Sequence, residues 1–81
     1  MEKKFTENQI SFMKLMYEAR KESGLTQNQV ARLLHKNQSY ISKYENGERR
    51  LDVLEFLELA HVMGFNPSEF ITKLNRVWKK K

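Results

Sequence analysis

Apolar side chains recur along most of this chain at intervals of three and four residues, the spacing that gathers them on one face of an α-helix. The first such stretch runs from residue 7 or 8 to residue 23, and its inward face contains Phe12, Met13, Met16, Ala19 and Arg20. No segment alternates between apolar and polar residues over the length of a strand. The pattern therefore predicts an all-α chain.

Three glycines and one proline divide the pattern into five short helices. Gly24, Gly47 and Gly64 each follow an amphipathic run, where a left-handed residue commonly ends a helix. After the first helix we predict four more, at residues 27–34, 38–46, 53–63 and as far as 67–78, capped by Thr26, Asn37, Asp52 and Asn66.

The spacing also predicts which side chains of the later helices point inward. The second helix directs Val30, Ala31, Leu33 and Leu34 to the core, and the third directs only Ile41 and Tyr44. The fourth has an inward stripe of Leu54, Leu57, Ala60 and Met63. This assignment leaves Val53, Phe56 and Val62 on other faces of the fourth helix.

Length and composition exclude several classes of protein. With 81 residues the chain forms one domain, residues 1–81, and without cysteine it has neither disulfides nor thiolate-bound metal. Its two distant histidines do not make a metal site, and no set of nucleophile, base and orienting residue is present. We expect no enzyme activity, no cofactor and, without a second domain, no pocket for an inducer.

The apolar stretches are too short for a membrane span, and the first nine residues contain no signal-peptide core. We therefore expect a soluble, cytoplasmic protein with no membrane partner. The net charge is +5, and residues 51–70 have four acidic and no basic side chains, whereas 71–81 have five basic and no acidic ones. Such polarity suits a protein that binds a polyanion with one face.

Residues 26–47 have the spacing of two short helices joined by a tight turn. Ala31 provides the small side chain that two helices need where their backbones approach closely. The outward side of the second helix carries amides, hydroxyls and a lysine, which pair with base edges in the major groove of DNA. The candidate base-contacting residues are Gln38, Ser39, Tyr40, Ser42 and Lys43. In isolation they could be the solvated face of a helix, but the surrounding spacing favours DNA contact.

The chain resembles the phage repressor and Cro-like (XRE-type) helix-turn-helix family in the run LTQNQVARLLHKNQSYISKYENGERRLDVLEFLELAHVMG. The resemblance covers roughly residues 11–70 and is most specific over residues 25–47. It implies a compact five-helix fold like that of lambda repressor and a sequence-specific regulator of double-stranded DNA.

The resemblance also implies roles for individual residues. Gln27 matches a glutamine that clamps a phosphate and steadies the reading residues, and Arg20 and Glu45 match a pair that joins the first helix to the third. Gln38, Ser39, Ser42 and Lys43 match base-reading positions. The expected contacts to the DNA backbone, besides Gln27, are Asn37, Asn46, Arg49 and Arg50.

One position departs from the family pattern, because His35 stands where the turn usually has glycine. A left-handed backbone costs a non-glycine residue about 1 kcal/mol, although histidine is among the residues that tolerate it. We expect His35 in an exposed turn that is slightly reshaped.

The fourth and fifth helices, residues 52–78, contain more apolar surface than one face per helix can bury. Exposed apolar surface commonly marks a contact site, and one short reading helix makes few base contacts. We therefore predict a two-fold homodimer on a palindromic operator, with Phe56, Phe70, Leu74 and Trp78 as candidate anchors.

Three roles fit the resemblance: a phage-type repressor, the controller of a restriction-modification system, or an antitoxin. The alternative is a protein-interaction module that docks a different protein, such as a toxin or a polymerase, through the fourth and fifth helices.

Overall fold

A computed structural model describes residues 5–80, which form the helices α1 Glu7–Ser23, α2 Gln27–Leu33, α3 Gln38–Glu45, α4 Val53–Met63 and α5 Pro67–Arg76. The predicted all-α class is confirmed, since this range contains no strand. Residues 1–4 and 81, the two ends of the predicted domain, lie outside the described part of the chain. None of the helices described is long and apolar enough to cross a membrane.

Side-chain caps begin four of these helices, three of them at the predicted residues Thr26, Asp52 and Asn66. Thr6, the cap of α1, was not predicted, and the prediction that the Asn37 side chain caps α3 is wrong, since it makes no cap hydrogen bond. Thr6, Thr26 and Asp52 each form a capping box with the residue three positions later, in which each side chain bonds to the other's backbone N–H. The Asn66 side chain accepts hydrogen bonds from two backbone N–H groups of α5, at 2.8 and 3.2 Å. Each cap contributes about 1 kcal/mol, so local sequence explains where these helices start.

The last helix ends earlier than the predicted limit of residue 78. Beyond Arg76 the chain turns back to the start of α1, where the Lys79 N–H donates to Asn8 Oδ1 at 2.8 Å. Asn8 Nδ2 in turn donates to the Lys79 carbonyl at 3.1 Å. Bonds to a distant side chain therefore replace the next helical turn.

All five helices contribute to the core, and Met16, Val30, Ile41 and Leu59 are fully buried in it. Beside them four phenylalanine rings pack with centroids 5.0 to 6.1 Å apart; they are Phe12, Phe56, Phe65 and Phe70. Each large apolar side chain buried in this way contributes about 1.5–3 kcal/mol.

The predicted inward stripe of α4 is wrong in two of its four positions. Ala60 and Met63 are buried, but Leu54 is 73% exposed and Leu57 36% exposed. The inward face is instead set by Phe56, whose ring contacts three other phenylalanines. A ring at this position buries more apolar area than a leucine would, which turns the helix so that Leu54 faces outward. In α2, Leu33 was likewise expected inside and is 57% exposed.

Gly47 lies immediately after α3 and has no room for a side chain. Its φ is +80°, and a Cβ added there would lie 2.6 Å from Cζ of Phe5 and 3.0 Å from Cε of Met13. The absence of a side chain thus allows Phe5 to pack directly against the loop that follows α3.

Candidate nucleic-acid interface

The turn between α2 and α3 retains regular helix-ending geometry despite its histidine. His35 has φ +57°, its N–H donates to the Arg32 carbonyl, and the Lys36 N–H donates to the Ala31 carbonyl at 2.9 Å. This pair of bonds is the Schellman arrangement, which satisfies the last carbonyls of a helix around a left-handed residue. His35 therefore occupies the glycine-type position, and Ala31 is buried at the close approach, as predicted.

The polar side of α3 is uncovered within residues 5–80. Gln38, Ser39 and Lys43 are exposed, and Tyr40 and Ser42 are half-buried. The opposite side of the helix is anchored by Ile41 and Tyr44, which are 0% and 3% exposed. The five candidate base-contacting residues thus share one short helix, whose hydrophilic surface is open to a partner.

A buried ion pair ties α3 to α1. Arg20 Nε lies 2.6 Å from Glu45 Oε2, and the two side chains are 10% and 6% exposed. A second guanidinium nitrogen reaches Glu45 Oε1 at 3.2 Å, and the third donates to the Leu25 carbonyl at 3.1 Å. The hydrogen bond with Glu45 raises the pKa of Arg20 above its ordinary value, so the guanidinium remains charged. These two residues form the link that the resemblance implied.

From this ion pair a chain of amides runs to the exposed end of α3. Gln27 Nε2 donates to Glu45 Oε1 at 2.9 Å, and Gln27 Oε1 accepts from Gln38 Nε2 at 2.9 Å. A carboxylate can only accept, so Glu45 sets the orientation of the Gln27 amide, which in turn sets that of Gln38. The buried charge thereby orients a side chain on the surface.

The orientation leaves Gln38 with the groups that adenine requires. One N–H is bonded to Gln27, while the second N–H and Oε1 have no partner among the described residues. An adenine presents N7 as an acceptor and its N6 amino group as a donor in the major groove. A single glutamine side chain can therefore bond both atoms without breaking its contact to Gln27.

Two further polar residues lie at the ends of α3. Asn37 occupies the N-cap position but makes no side-chain cap bond, so its amide remains exposed beside the first turn. Asn46 follows the helix and is exposed, with only a long 3.5 Å contact from its Nδ2 to Ser42 Oγ. Both amides are exposed beside α3, as a contact to a DNA phosphate would require.

The loop arginines differ in their surroundings. Arg50 is exposed, and its guanidinium has no hydrogen-bond or ion-pair partner within the described residues. Arg49 instead forms a two-point ion pair with Glu55, at 3.1 and 2.6 Å, and lies 4.7 Å from the ring centre of Tyr40. A phosphate would have to compete with Glu55 for Arg49, whereas Arg50 is available.

Glu55 is a site residue that sequence reasoning missed. The bonds from Arg49 and from the Asp52 backbone N–H lower its pKa from an ordinary 4.5 to about 2. The available signal was the capping box, because Asp52 at the N-cap and glutamate three residues later place that carboxylate next to the preceding loop.

The four residues predicted as dimer anchors do not share an exposed surface. Phe56 and Phe70 lie in the core, 8% and 5% exposed, because their rings pack against each other. Leu74 is half-buried, and Trp78 is 52% exposed at the end of the chain. The expectation that Phe56 and Phe70 face outward is therefore wrong. The large apolar residues exposed on α4 are Val53, Leu54 and Leu57, with Val53 71% exposed.

Comparison with known proteins agrees with this geometry. A helix-turn-helix family model matches residues 16–70. A protein of Sinorhizobium fredii, described as an uncharacterized HTH-type transcriptional regulator y4dJ, is 38% identical over 53 residues, which cover 65% of this chain and 69% of that protein. An XRE-family like protein from Pseudomonas syringae pv. tomato has a solved structure that superposes with a TM-score of 0.82 at 38% identity, covering 89% of this chain and 88% of that one. The chain therefore belongs to the XRE-type helix-turn-helix family of transcriptional regulators.

Proposed function

We propose that this protein is a cytoplasmic regulator that binds a palindromic operator in double-stranded DNA as a homodimer, without catalysing a reaction. The observation that carries the proposal is the hydrogen-bonded chain from Arg20 through Glu45 and Gln27 to Gln38. It connects a buried charge to an exposed side chain and leaves that side chain with a donor and an acceptor. A fixed orientation of the Gln38 amide has no use on a helix face that contacts only water. It favours DNA binding, because a base-contacting side chain that is already oriented loses less conformational freedom when it binds.

In this proposal α3 enters the major groove. Gln38, Ser39, Tyr40, Ser42 and Lys43 contact bases, and Gln38 reads an adenine. Gln27 retains one amide N–H for a phosphate, and the other backbone contacts are Asn37, Asn46, Arg49 and Arg50. Arg50 contributes the stronger loop contact of the two arginines, because Arg49 must first leave Glu55.

The homodimer uses the exposed apolar side chains of α4, which we call the α4 patch: Val53, Leu54 and Leu57. Val53 and Leu54 are 71% and 73% exposed although they lie on a helix that contributes four residues to the core. Exposed apolar side chains of this size are stabilised when another surface buries them. In a two-fold dimer, the α4 patch of one copy packs against the α4 patch of the other. Trp78 on the segment after α5 remains a further candidate, whereas Phe56 and Phe70 serve the core.

The decisive experiment selects bound fragments from a random library of duplex DNA. The proposal expects enrichment of an inverted repeat whose half-sites are about one helical turn apart. It also expects an affinity that falls steeply with salt, since each neutralised phosphate releases about one counterion. Recovery of fragments without a common motif would contradict sequence-specific binding, and a single unrepeated motif would contradict the dimer.

The α4 patch also supports a second candidate, a module that docks another protein, such as the toxin partner of an antitoxin. Docking through an apolar patch is insensitive to salt, in contrast to phosphate contact. Sedimentation of the purified chain separates the two: at tens of micromolar, a dimer supports the first proposal, and a monomer favours the second.

A further inference from the structure

A cavity of about 500 Å³ lies between the N-terminal half of α1, the loop after α3 and the segment after α5. Most of its wall is apolar and includes Phe12, Met13, Leu51, Leu74 and Trp78. Its volume falls in the range of pockets that bind small molecules. No such cavity was evident from the sequence.

The wall is formed by segments near both ends of the described range, and hydrogen bonds hold part of it. The Asn8 side chain binds the backbone N–H and carbonyl of Lys79 at 2.8 and 3.1 Å, which brings the preceding residue, Trp78, against the cavity. On another side, Phe5 packs on Gly47 where a side chain would not fit. Three distant segments thus converge on one space, which α1 alone could not enclose.

The polar groups around this cavity have a consistent chemistry. The Tyr44 hydroxyl is buried and has no hydrogen-bond partner among the described residues. Burial raises the pKa of that hydroxyl, so it stays protonated and can donate. Arg50 also lines the cavity, and its guanidinium has no partner among residues 5–80. None of the acidic side chains in that range lines the cavity. Unpaired buried donors are uncommon and call for a partner from outside the chain.

We propose that this cavity binds a small amphipathic anion, with an apolar body against Phe12 and Trp78 and a carboxylate that accepts hydrogen bonds from Tyr44 and Arg50. The apolar wall selects the body, and the two donors select an acceptor with negative charge. Because Tyr44 lies in the last turn of α3 and Arg50 in the loop that follows, the ligand acts on the DNA-contacting surface. That effector role rests on the proposed function, whereas the binding site itself does not.

The test uses octanoate as the probe and Trp78, the chain's single tryptophan, as the reporter. Octanoate is titrated into the full chain without DNA, and octan-1-ol is the uncharged comparison. We expect a saturable change in tryptophan emission with octanoate and roughly tenfold weaker binding of the alcohol, the factor expected from one charge-assisted hydrogen bond.

Two variants locate the site. Tyr44→Phe removes only the unpaired hydroxyl and should leave the melting temperature equal or higher, and Arg50→Gln removes the exposed charge. Each should weaken octanoate binding roughly tenfold, while Arg32→Gln, an exposed arginine on α2 outside the cavity, should bind as the unmodified chain does. Loss of binding with an unchanged melting temperature separates a ligand contact from a structural role.

The remaining outcomes overturn the proposal. Absence of a saturable change, or equal affinities for both probes and all variants, would eliminate the site. A tryptophan emission that shifts with protein concentration before any probe is added would show that a second copy of the chain covers the cavity instead. Octanoate that binds without altering the affinity for a selected operator would retain the site and eliminate its effector role.

Discussion

Replacement of Glu45 by alanine tests the central feature of this protein, the buried ion pair that ties α3 to α1. The carboxylate accepts three hydrogen bonds, from two nitrogens of Arg20 at 2.6 and 3.2 Å and from Gln27 at 2.9 Å. Glu45→Ala removes all three and leaves the Arg20 guanidinium, 10% exposed, without its counter-charge.

The expected cost is about 3 kcal/mol in the free energy of unfolding, at the lower end of values for stranding one member of a buried pair. The lower end applies because both side chains retain some contact with water. In a domain of this size, 1 kcal/mol changes the melting temperature by roughly 4–8 °C, so the variant should melt about 12–24 °C lower. DNA affinity should also fall at temperatures where the variant is folded, because Gln27 and Gln38 lose their fixed orientation.

The assay is urea and thermal unfolding followed by circular dichroism, with Glu48→Ala as the matched control. Glu48 is an exposed glutamate just beyond α3 whose carboxylate makes no ion pair within the described residues, so its removal should cost less than about 0.5 kcal/mol. The double variant Arg20→Met, Glu45→Leu removes both charges and should recover most of the stability lost. A Glu45→Ala variant as stable as the Glu48 control, or a double variant as unstable as the single one, would refute the reasoning.

Four further predictions concern other parts of the structure. The pKa of Glu55 in the folded chain is lowered to about 2. Its ionised form therefore stabilises the fold above its ordinary pKa of 4.5, and this stabilisation is lost as pH falls toward 2. Between about pH 5 and 2, the melting temperature should fall more in the unmodified chain than in Glu55→Gln. Gln38→Ala should cost about 1–3 kcal/mol at one base pair of the operator, whereas Arg50→Ala should weaken all sequences alike and reduce the salt slope by about 1, as competition binding would measure. Leu54→Glu should give a monomer in sedimentation with an unchanged melting temperature, since this leucine is 73% exposed, and a persistent dimer would exclude the α4 patch. His35→Gly should raise the free energy of unfolding by up to about 1 kcal/mol because φ is +57° there; a loss of stability would show that the histidine side chain contributes more than the strain costs.

Features that depend on contacts between neighbouring residues were predictable from the sequence, whereas features that depend on contacts between distant residues were not. The starts of α2, α4 and α5 were predictable because Thr26, Asp52 and Asn66 each bond within the next three residues. The exposed face of α3 was predictable for a similar reason, since its exposed and buried positions alternate with the helical period.

The inward face of α4 was not predictable in this way. Its apolar residues occupy several faces, so periodicity alone allowed either Leu54 or Phe56 to point inward. The choice depends on the rings that Phe56 meets, which come from α1, α5 and the loop between α4 and α5. The ion pair between Arg49 and Glu55 was also not predicted, because Glu55 lies beyond the loop that contains Arg49.

Local hydrogen bonding and the helical period were therefore sufficient for the class of fold, the helix starts and the surface that α3 presents. The outward turn of Leu54, the Gln27–Gln38 contact and the cavity beside Trp78 required the complete packed chain. The physical reason is that a helix start depends on a few neighbouring atoms, whereas burial and enclosed space depend on which distant side chains arrive at the same place.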